Sequence, residues 1–147
     1  VKFMENCNDV GLLVNGCFIL GLPNDTKDSM RRTIEFAKKL NPDTAQFYPL
    51  MAYPGTEAYE WAKENDKIES EDFSTFIREE GGHHTNVKGP EGMSSDELVE
   101  WCARAEKEFY LRKEYIWMKF KQSITSYREA KRTLISAKTF FKHLWNG

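Results

Sequence analysis

The chain has 147 residues, of which 40% are hydrophobic and 30% are charged, and its formal net charge is -2. This composition is typical of one domain with a real core and excludes a disordered chain. The near-neutral charge gives no general attraction to nucleic acid, and no run approaches the roughly 18 apolar residues that a membrane span needs.

The N-terminal residues 1–9 contain neither an initiator methionine nor a signal-peptide pattern. They are typical of the end of a helix that the chain enters from upstream. We therefore expect the chain to be a fragment of a longer cytoplasmic protein, with earlier strands outside it.

Residues 11–56 carry the strongest pattern, which predicts a strand, a helix and a second strand. Leu12 to Leu22 is a nearly continuous apolar run, typical of a strand buried on both faces in a parallel sheet. Asp25 or Thr26 can cap the helix that follows, and Asn41-Pro42 ends it. Thr44 to Leu50 alternates between apolar and polar residues, so we expect a βαβ unit.

The next segment predicts a short helix followed by an acidic stretch. Thr56 is the expected N-cap of a helix that runs to about Asn65. The acidic residues that dominate Glu57 to Glu80 are typical of a solvated face, because nothing indicates burial of a carboxylate pair. Three apolar residues are expected to hold this stretch on the core, namely Phe73, Phe76 and Ile77.

Two long helices are predicted in the second half. Ser94 and Glu97 form a capping-box pattern at the start of the first. Its apolar stripe comprises Leu98, Cys102, Ala105, Phe109, Ile116 and Phe120. The final helix places Tyr127, Ala130, Leu134, Ala137, Phe141 and Leu144 at helical spacing. We expect these two helices to form a hairpin against the preceding domain.

The final helix is strongly basic. Its cations, with those just before it, are Lys119, Lys121, Arg128, Lys131, Arg132, Lys138 and Lys142, against Glu129. Cations on an amphipathic helix with Phe and Trp favour anionic interfaces, so peripheral membrane contact or an acidic partner is one interpretation. A solvated helix face is the other.

No metal site is predicted. Cys7, Cys17 and Cys102 are far apart in sequence, so they form neither a disulfide framework nor a metal-ligand pair, and a reducing compartment fits best. Cys7 and Cys17 are interpreted as ordinary buried thiols. His83 and His84 are adjacent, so on an extended chain they point to opposite sides and cannot easily bind one metal. A substrate-facing loop or a short edge strand is the expected role of that segment.

Several motifs resemble those of radical S-adenosylmethionine (SAM) enzymes. Gly16 to Pro23, followed by Asn24-Asp25-Thr26 and a helix, resembles the fifth-strand segment of that family. Pro42 to Phe47 and Tyr53 to Glu57 resemble the sixth strand and its loop in the subgroup with an N-terminal cobalamin-binding domain. That subgroup includes the hopanoid-side-chain and Mg-porphyrin oxidative cyclase branches, and Phe109 to Arg112 resembles its C-terminal helical region.

The resemblance implies an α/β fold. Residues 1–80 would be the last βα units of a parallel partial (β/α) barrel, and residues 81–147 a loop and helical C-terminal extension. It also implies reductive cleavage of SAM at a [4Fe–4S] cluster and hydrogen abstraction by a 5′-deoxyadenosyl radical, with cobalamin bound upstream. The Cys-x3-Cys-x2-Cys cluster motif is absent from the chain. The fragment alone is therefore expected to be inactive.

The resemblance assigns cofactor contacts and no catalytic residue. Ile19 would lie against the adenine, Gly21 would let the backbone approach the ligand, and backbone groups of Gln46, Phe47 and Tyr48 would read the adenine edge. The structural alternative is that Ile19 and Phe47 belong to the core and that Gly21 is a turn glycine. Cys17 departs from the glycine that many relatives have at this position.

The expected partners are a small-molecule or lipid-like substrate and the upstream part of the same protein. The competing hypothesis is a non-catalytic βαβ scaffold whose basic helices dock a partner. An unrelated nucleotide-binding βαβ protein is disfavoured, because the chain has no Gly-x-Gly-x-x-Gly loop.

Overall fold

The computed structural model describes residues 1–72, 84–125, 131, 133–135 and 138. Its elements are α1 (Lys2–Asp9), β1 (Asn15–Leu20), α2 (Lys27–Leu40), β2 (Thr44–Pro49), α3 (Glu57–Glu64), α4 (Ser95–Tyr110) and α5 (Lys113–Thr125). The chain forms two compact units, Val1–Phe109 and Tyr110–Gly147. The predicted anchors Phe73, Phe76 and Ile77 lie outside the described residues, as does His83.

The predicted βαβ unit is confirmed. β1 and β2 pair in parallel, in a register that runs from Asn15 opposite Thr44 to Leu20 opposite Pro49. Thr26 caps α2 in a capping box with Ser29, and Asn41 ends it in the left-handed conformation at φ 50°. The protein is therefore of the mixed α/β class.

The prediction that the first strand is buried on both faces is wrong. β1 is shorter than the apolar run, and Leu12, Leu13 and Ile19 are 57%, 49% and 47% exposed. Successive side chains of a strand point to opposite faces. Because the helices cover only one face of this two-stranded sheet, alternate residues of both strands remain exposed.

The main core lies on the other face of the sheet, beneath α2 and α4. Phe47 is fully buried, stacks on Phe18 with 5.2 Å between ring centroids, and meets Phe109 at 6.3 Å. The other buried core side chains include Leu20, Met30, Ile34, Ala37, Ala45, Leu98, Cys102 and Ala105. The alternative that places Ile19 and Phe47 in the core is thus confirmed for Phe47 and wrong for Ile19, which is 47% exposed.

A smaller core supports the segment after β2. Leu50, Ala52, Ala62 and Val87 are buried together, with Trp61 among the side chains packed on them. The predicted cap of α3 is confirmed, because the Thr56 hydroxyl accepts a hydrogen bond from the Tyr59 amide. Ile68 and Val87 form an isolated antiparallel bridge, which brings the segment after residue 83 back to α3.

The predicted helix that starts at Ser94 has a different length. The capping box with Glu97 is confirmed, and the buried stripe holds through Phe109. The helix then ends, however, and α5 starts anew at Lys113. Two non-helical residues change the phase of the 3.6-residue repeat, so Ile116 and Phe120 are 54% exposed and not buried as predicted.

The C-terminal predictions are tested only in part. Of the six apolar positions predicted for the final helix, Leu134 is described, and it is helical and exposed. The expected hairpin stays a prediction, as does the domain division after residue 80, which falls among the undescribed residues 73–83. Over the part of the chain that is described, no helix is both long and apolar enough to cross a membrane.

Candidate functional site

The exposed face of the β1–β2 sheet is the candidate site, and we call it the front face. Three side chains from each strand form it: Asn15, Cys17, Ile19, Thr44, Gln46 and Tyr48. The parallel register sets these residues opposite one another in three pairs. The face therefore consists of two adjacent rows whose chemistry changes along the strands.

The amino-terminal end of the front face is a polar network. The Thr44 hydroxyl donates to Asn15 Oδ1 at 2.7 Å, and Asn15 Nδ2 donates to Gln46 Oε1 at 3.1 Å. The Cys17 thiol lies 3.8 Å from the same Gln46 oxygen. These bonds orient the amide groups, so this end offers fixed polar atoms to a ligand.

The carboxyl-terminal end of the front face is apolar. Ile19 and Tyr48 are direct neighbours across the strands, and they are 47% and 38% exposed. Leu22 and Tyr53 follow in the loops that leave the two strands, and both are also exposed. Because flat aromatic ligands bind well against such apolar surfaces, this end suits a heterocyclic ring.

The loop after β1 is fixed by Asp25. Its Oδ2 accepts from the Gly21 and Leu22 amides at 3.1 and 3.0 Å, and its other oxygen accepts from the Ser29 hydroxyl. The Gly21 and Leu22 amides are therefore used inside the protein. A ligand at this edge would meet the side chains of the loop, since its amides already have an acceptor.

Gly21 has two structural reasons to be glycine. Its φ is +82°, a conformation that residues with a side chain rarely adopt, and a Cβ there would lie 2.7 Å from Leu98 Cδ2. The space beside its Cα is therefore filled by α4. These facts account for the turn glycine, and the predicted contact of Gly21 with a cofactor stays a prediction.

The loop after β2 is fixed by residues distant in sequence. Asn86 is 2% exposed, and its side-chain amide accepts from the Ala52 amide and donates to the Ala52 carbonyl, both at 2.9 Å. Thr85 donates from its hydroxyl to the Leu50 carbonyl. Asn86 could not be predicted, because nothing in a linear pattern distinguishes this buried asparagine from an ordinary loop residue.

The predicted site residues fall on both faces of the sheet. Ile19, Gln46 and Tyr48 share the front face, whereas the Phe47 side chain points into the core. Any ligand contact from Phe47 would therefore use its backbone, as the resemblance implies. Sequence reasoning missed Asn15 and Thr44. The two-residue period of a strand places Asn15 in one row with Cys17 and Ile19 on β1, and Thr44 in one row with Gln46 and Tyr48 on β2.

The three cysteines differ in exposure. Cys17 is exposed on the front face, which corrects its interpretation as a buried thiol, whereas Cys7 and Cys102 are buried as expected. Burial, with a smaller effect of Glu106, raises the pKa of Cys102 to about 12. An iron–sulfur cluster needs several converging thiolates. The cysteines of this chain do not fit such a cluster, and no three His, Cys, Asp or Glu side chains converge among the described residues.

An ion-pair cluster joins α2 to α4 behind the sheet. Glu108 accepts from Arg31 at 2.8 Å and from Lys38 at 3.3 Å, and the Arg31 guanidinium lies 5.5 Å from the Trp101 ring. Partial burial opposes ionisation of Glu108, but its hydrogen bonds to Arg31 and Lys38 outweigh that effect and lower its pKa. The cluster is structural, since it lies on the side of the sheet away from the front face.

Comparisons with known proteins give distant relatives that are enzymes, and no family model matches the chain. An uncharacterized methyltransferase of Pyrococcus horikoshii is 31% identical over 112 residues, which cover 76% of this chain and 23% of that protein. An anaerobic magnesium-protoporphyrin IX monomethyl ester cyclase of Rubrivivax gelatinosus is 26% identical over 119 residues, which cover 81% of this chain and 20% of that protein. The bacteriochlorophyllide d C-8(2)-methyltransferase of Chlorobaculum tepidum is 29% identical over 75 residues, which cover 51% of this chain and 17% of that protein. The chain thus spans less than a quarter of the length of these three relatives.

Proposed function

We propose that the chain is a portion of a radical SAM enzyme of the subgroup with a cobalamin-binding domain. In this proposal the front face and the two loops at its carboxyl end form one wall of the pocket for SAM and substrate. The similarity to methyltransferases and to an anaerobic cyclase supports it. So do the strand and loop motifs of residues 16–26 and 42–57, which occur in the order typical of that family.

The observation that carries the proposal is the exposed pair of Ile19 and Tyr48 at the carboxyl end of two parallel strands. In open α/β folds, ligands bind where the strands end and the loops leave the sheet. The pair offers an exposed apolar surface for the adenine ring. Asn15 and Gln46 supply oriented polar groups farther along the same face.

The chain's own residues would bind and orient the ligand. The front face carries no carboxylate, imidazole or amine, and its titratable side chains are the Cys17 thiol and the Tyr48 phenol. SAM, when bound, would supply the radical chemistry, and the protein would position it. The cluster ligands and cobalamin would belong to other parts of a longer polypeptide, because the cysteines here do not fit a cluster.

We test the pocket wall by SAM binding to the natural full-length polypeptide, reconstituted without oxygen. Ile19→Lys places a charge on the apolar end of the front face, and we expect it to raise the Kd for SAM about tenfold or more. Phe36→Lys is the matched control, since Phe36 is 50% exposed on α2. Equal effects of the two substitutions on SAM binding would exclude the front face from the pocket.

Activity is tested on the same polypeptide by release of 5′-deoxyadenosine from SAM under reductant. We expect release, and we expect Ile19→Lys to reduce it at a SAM concentration near the Kd and less at saturation. A polypeptide that binds neither iron nor SAM would overturn the proposal. In that case the non-catalytic βαβ scaffold would be the better interpretation.

A further inference from the structure

α5 exposes its apolar side. Ile116, Trp117, Phe120 and Ile124 are 54%, 57%, 54% and 71% exposed. At 3.6 residues per turn they share an arc of about 100° along the helix. We call this arc the α5 apolar face. The opposite side of the helix carries Tyr115, Met118 and Gln122, which are less exposed. Apolar side chains therefore lie on both sides of α5, and the exposed side is not the polar side that a surface helix usually shows.

Cations border the α5 apolar face. Lys119 and Lys121 follow on its two sides, and Lys113 lies at its amino-terminal end. The Lys121 ammonium lies 5.3 Å from the Trp117 ring, which itself stacks on Phe120 at 5.6 Å. Glu114 is the only acidic residue of the helix. The helix therefore combines an exposed aromatic surface with positive charge.

The charge of the chain is divided at the start of this region. Residues 112–147 contain nine Lys or Arg and two Glu, which give a net charge of +7. Residues 1–111 contain twelve Lys or Arg and twenty-one Asp or Glu, which give a net charge of -9. The two values give the total of -2. A charge so concentrated attracts an anionic surface although the whole chain does not.

We propose that α5 binds the surface of an anionic membrane, with the α5 apolar face in the boundary between headgroups and acyl chains. Trp and Phe prefer that boundary, and lysines beside them reach the headgroup phosphates while their methylene stems stay in apolar surroundings. A nucleic acid or an acidic protein would use the same lysines. It would not need an exposed row that includes two isoleucines, so the membrane fits the whole face better.

This inference rests on α5 and on the charge distribution, and it does not depend on the proposed function. A failure to bind SAM would leave it unchanged. A failure to bind membranes would likewise leave the pocket wall unchanged, because the front face lies in the other compact unit.

The test is co-sedimentation of the natural full-length polypeptide with vesicles. We expect binding to vesicles of equimolar phosphatidylcholine and phosphatidylglycerol, and little binding to pure phosphatidylcholine. The substitutions Trp117→Ser and Phe120→Ser together should weaken binding about tenfold or more. The matched control is Phe3→Ser with Phe36→Ser, which removes two exposed aromatic residues from α1 and α2 and should leave vesicle binding unchanged.

The charge contribution is tested separately by Lys113→Gln with Lys121→Gln, against Lys27→Gln with Lys39→Gln. Each lysine near an anionic surface contributes about 1 kcal/mol, so the α5 pair should weaken binding about 20- to 30-fold, and the control pair on α2 much less. Loss of binding in the lysine variant with full binding in the aromatic variant would indicate a polyanion surface instead and would overturn the membrane proposal. So would absence of binding to both kinds of vesicle.

Discussion

The two faces of the β1–β2 sheet are made from alternate residues of the same twelve positions, yet they have different physical roles. The back face consists of apolar side chains that α2 and α4 cover, and Phe47 is fully buried there. The front face is open, with amides at one end and Ile19 beside Tyr48 at the other. Neighbouring residues such as Phe47 and Tyr48 thus lie one in the core and the other on the open face, and substitutions can separate their effects.

The largest expected difference is between those two neighbours. Phe47→Ala removes a fully buried ring that contacts Phe18 and Phe109, and should lower the free energy of unfolding by about 3–5 kcal/mol. Tyr48→Ala on the exposed face should lower it by less than about 1 kcal/mol. Urea unfolding followed by circular dichroism measures both. If Phe47→Ala does not fold, Phe47→Leu is measured in its place. A loss of unfolding free energy no greater than that of Tyr48→Ala would contradict the assignment of the two faces.

The second expected effect concerns the contact between Gly21 and α4. Gly21→Ala combines a positive φ with a Cβ close to Leu98, whereas Gly55→Ala meets a φ of +84° with nothing within 4 Å. Backbone strain should cost each variant about 1 kcal/mol. The clash should cost Gly21→Ala about 1–2 kcal/mol more. If thermal or urea unfolding showed the same loss of stability for Gly21→Ala and Gly55→Ala, the close packing of Leu98 on Gly21 would contribute nothing to the cost of the substitution.

The smallest effect is expected at the ion pairs behind the sheet. Glu108→Gln should lower the free energy of unfolding by about 1 kcal/mol at neutral pH, because two partly exposed cations lose their carboxylate. The pKa of Glu108 is lower in the folded protein than in the unfolded chain. Its contribution is therefore present above the ordinary glutamate pKa of about 4.3 and is lost as pH falls through the folded-state value.

The measurement is urea unfolding of the wild type and of Glu108→Gln across that pH range. The difference in the free energy of unfolding between the two proteins should disappear at acid pH. Glu100→Gln serves as the matched control, since it removes a carboxylate of the same helix for which no ion pair is described. A difference in unfolding free energy that stayed constant down to acid pH would show that Glu108 stabilises the fold through packing and not through its charge.

Much of the β1–α2–β2 unit was predictable because its signals are local. Thr26 and Thr56 cap helices through bonds to residues three positions later, and the alternation in β2 fixes which side chains face the core. The apolar run from Leu12 to Leu22 misled for a physical reason. Hydrophobicity reports what a residue could bury, and it does not report whether a neighbouring element is there to cover it.

The missed features depend on contacts between distant residues. The two hydrogen bonds between Asn86 and Ala52 join positions that are 34 residues apart, and no spacing rule connects these positions. The end of α4 at Tyr110 was also missed, since the apolar period continues in the sequence through Ile116 and Phe120 while the helix does not. Periodicity predicts the face of a helix only within one uninterrupted helix.

The three cysteines differ in exposure in a way that allows the front face to be labelled selectively. The exposed thiol of Cys17 stands in the middle of the front face, while Cys7 and Cys102 are 4% and 0% exposed. An alkylating reagent applied to the native protein should therefore modify Cys17 first and reach the other two only on unfolding. Whatever covers the front face, whether a cofactor, a substrate or another segment of polypeptide, will slow that single reaction. A mass shift at one peptide thus measures occupancy of the candidate site before its ligand is identified.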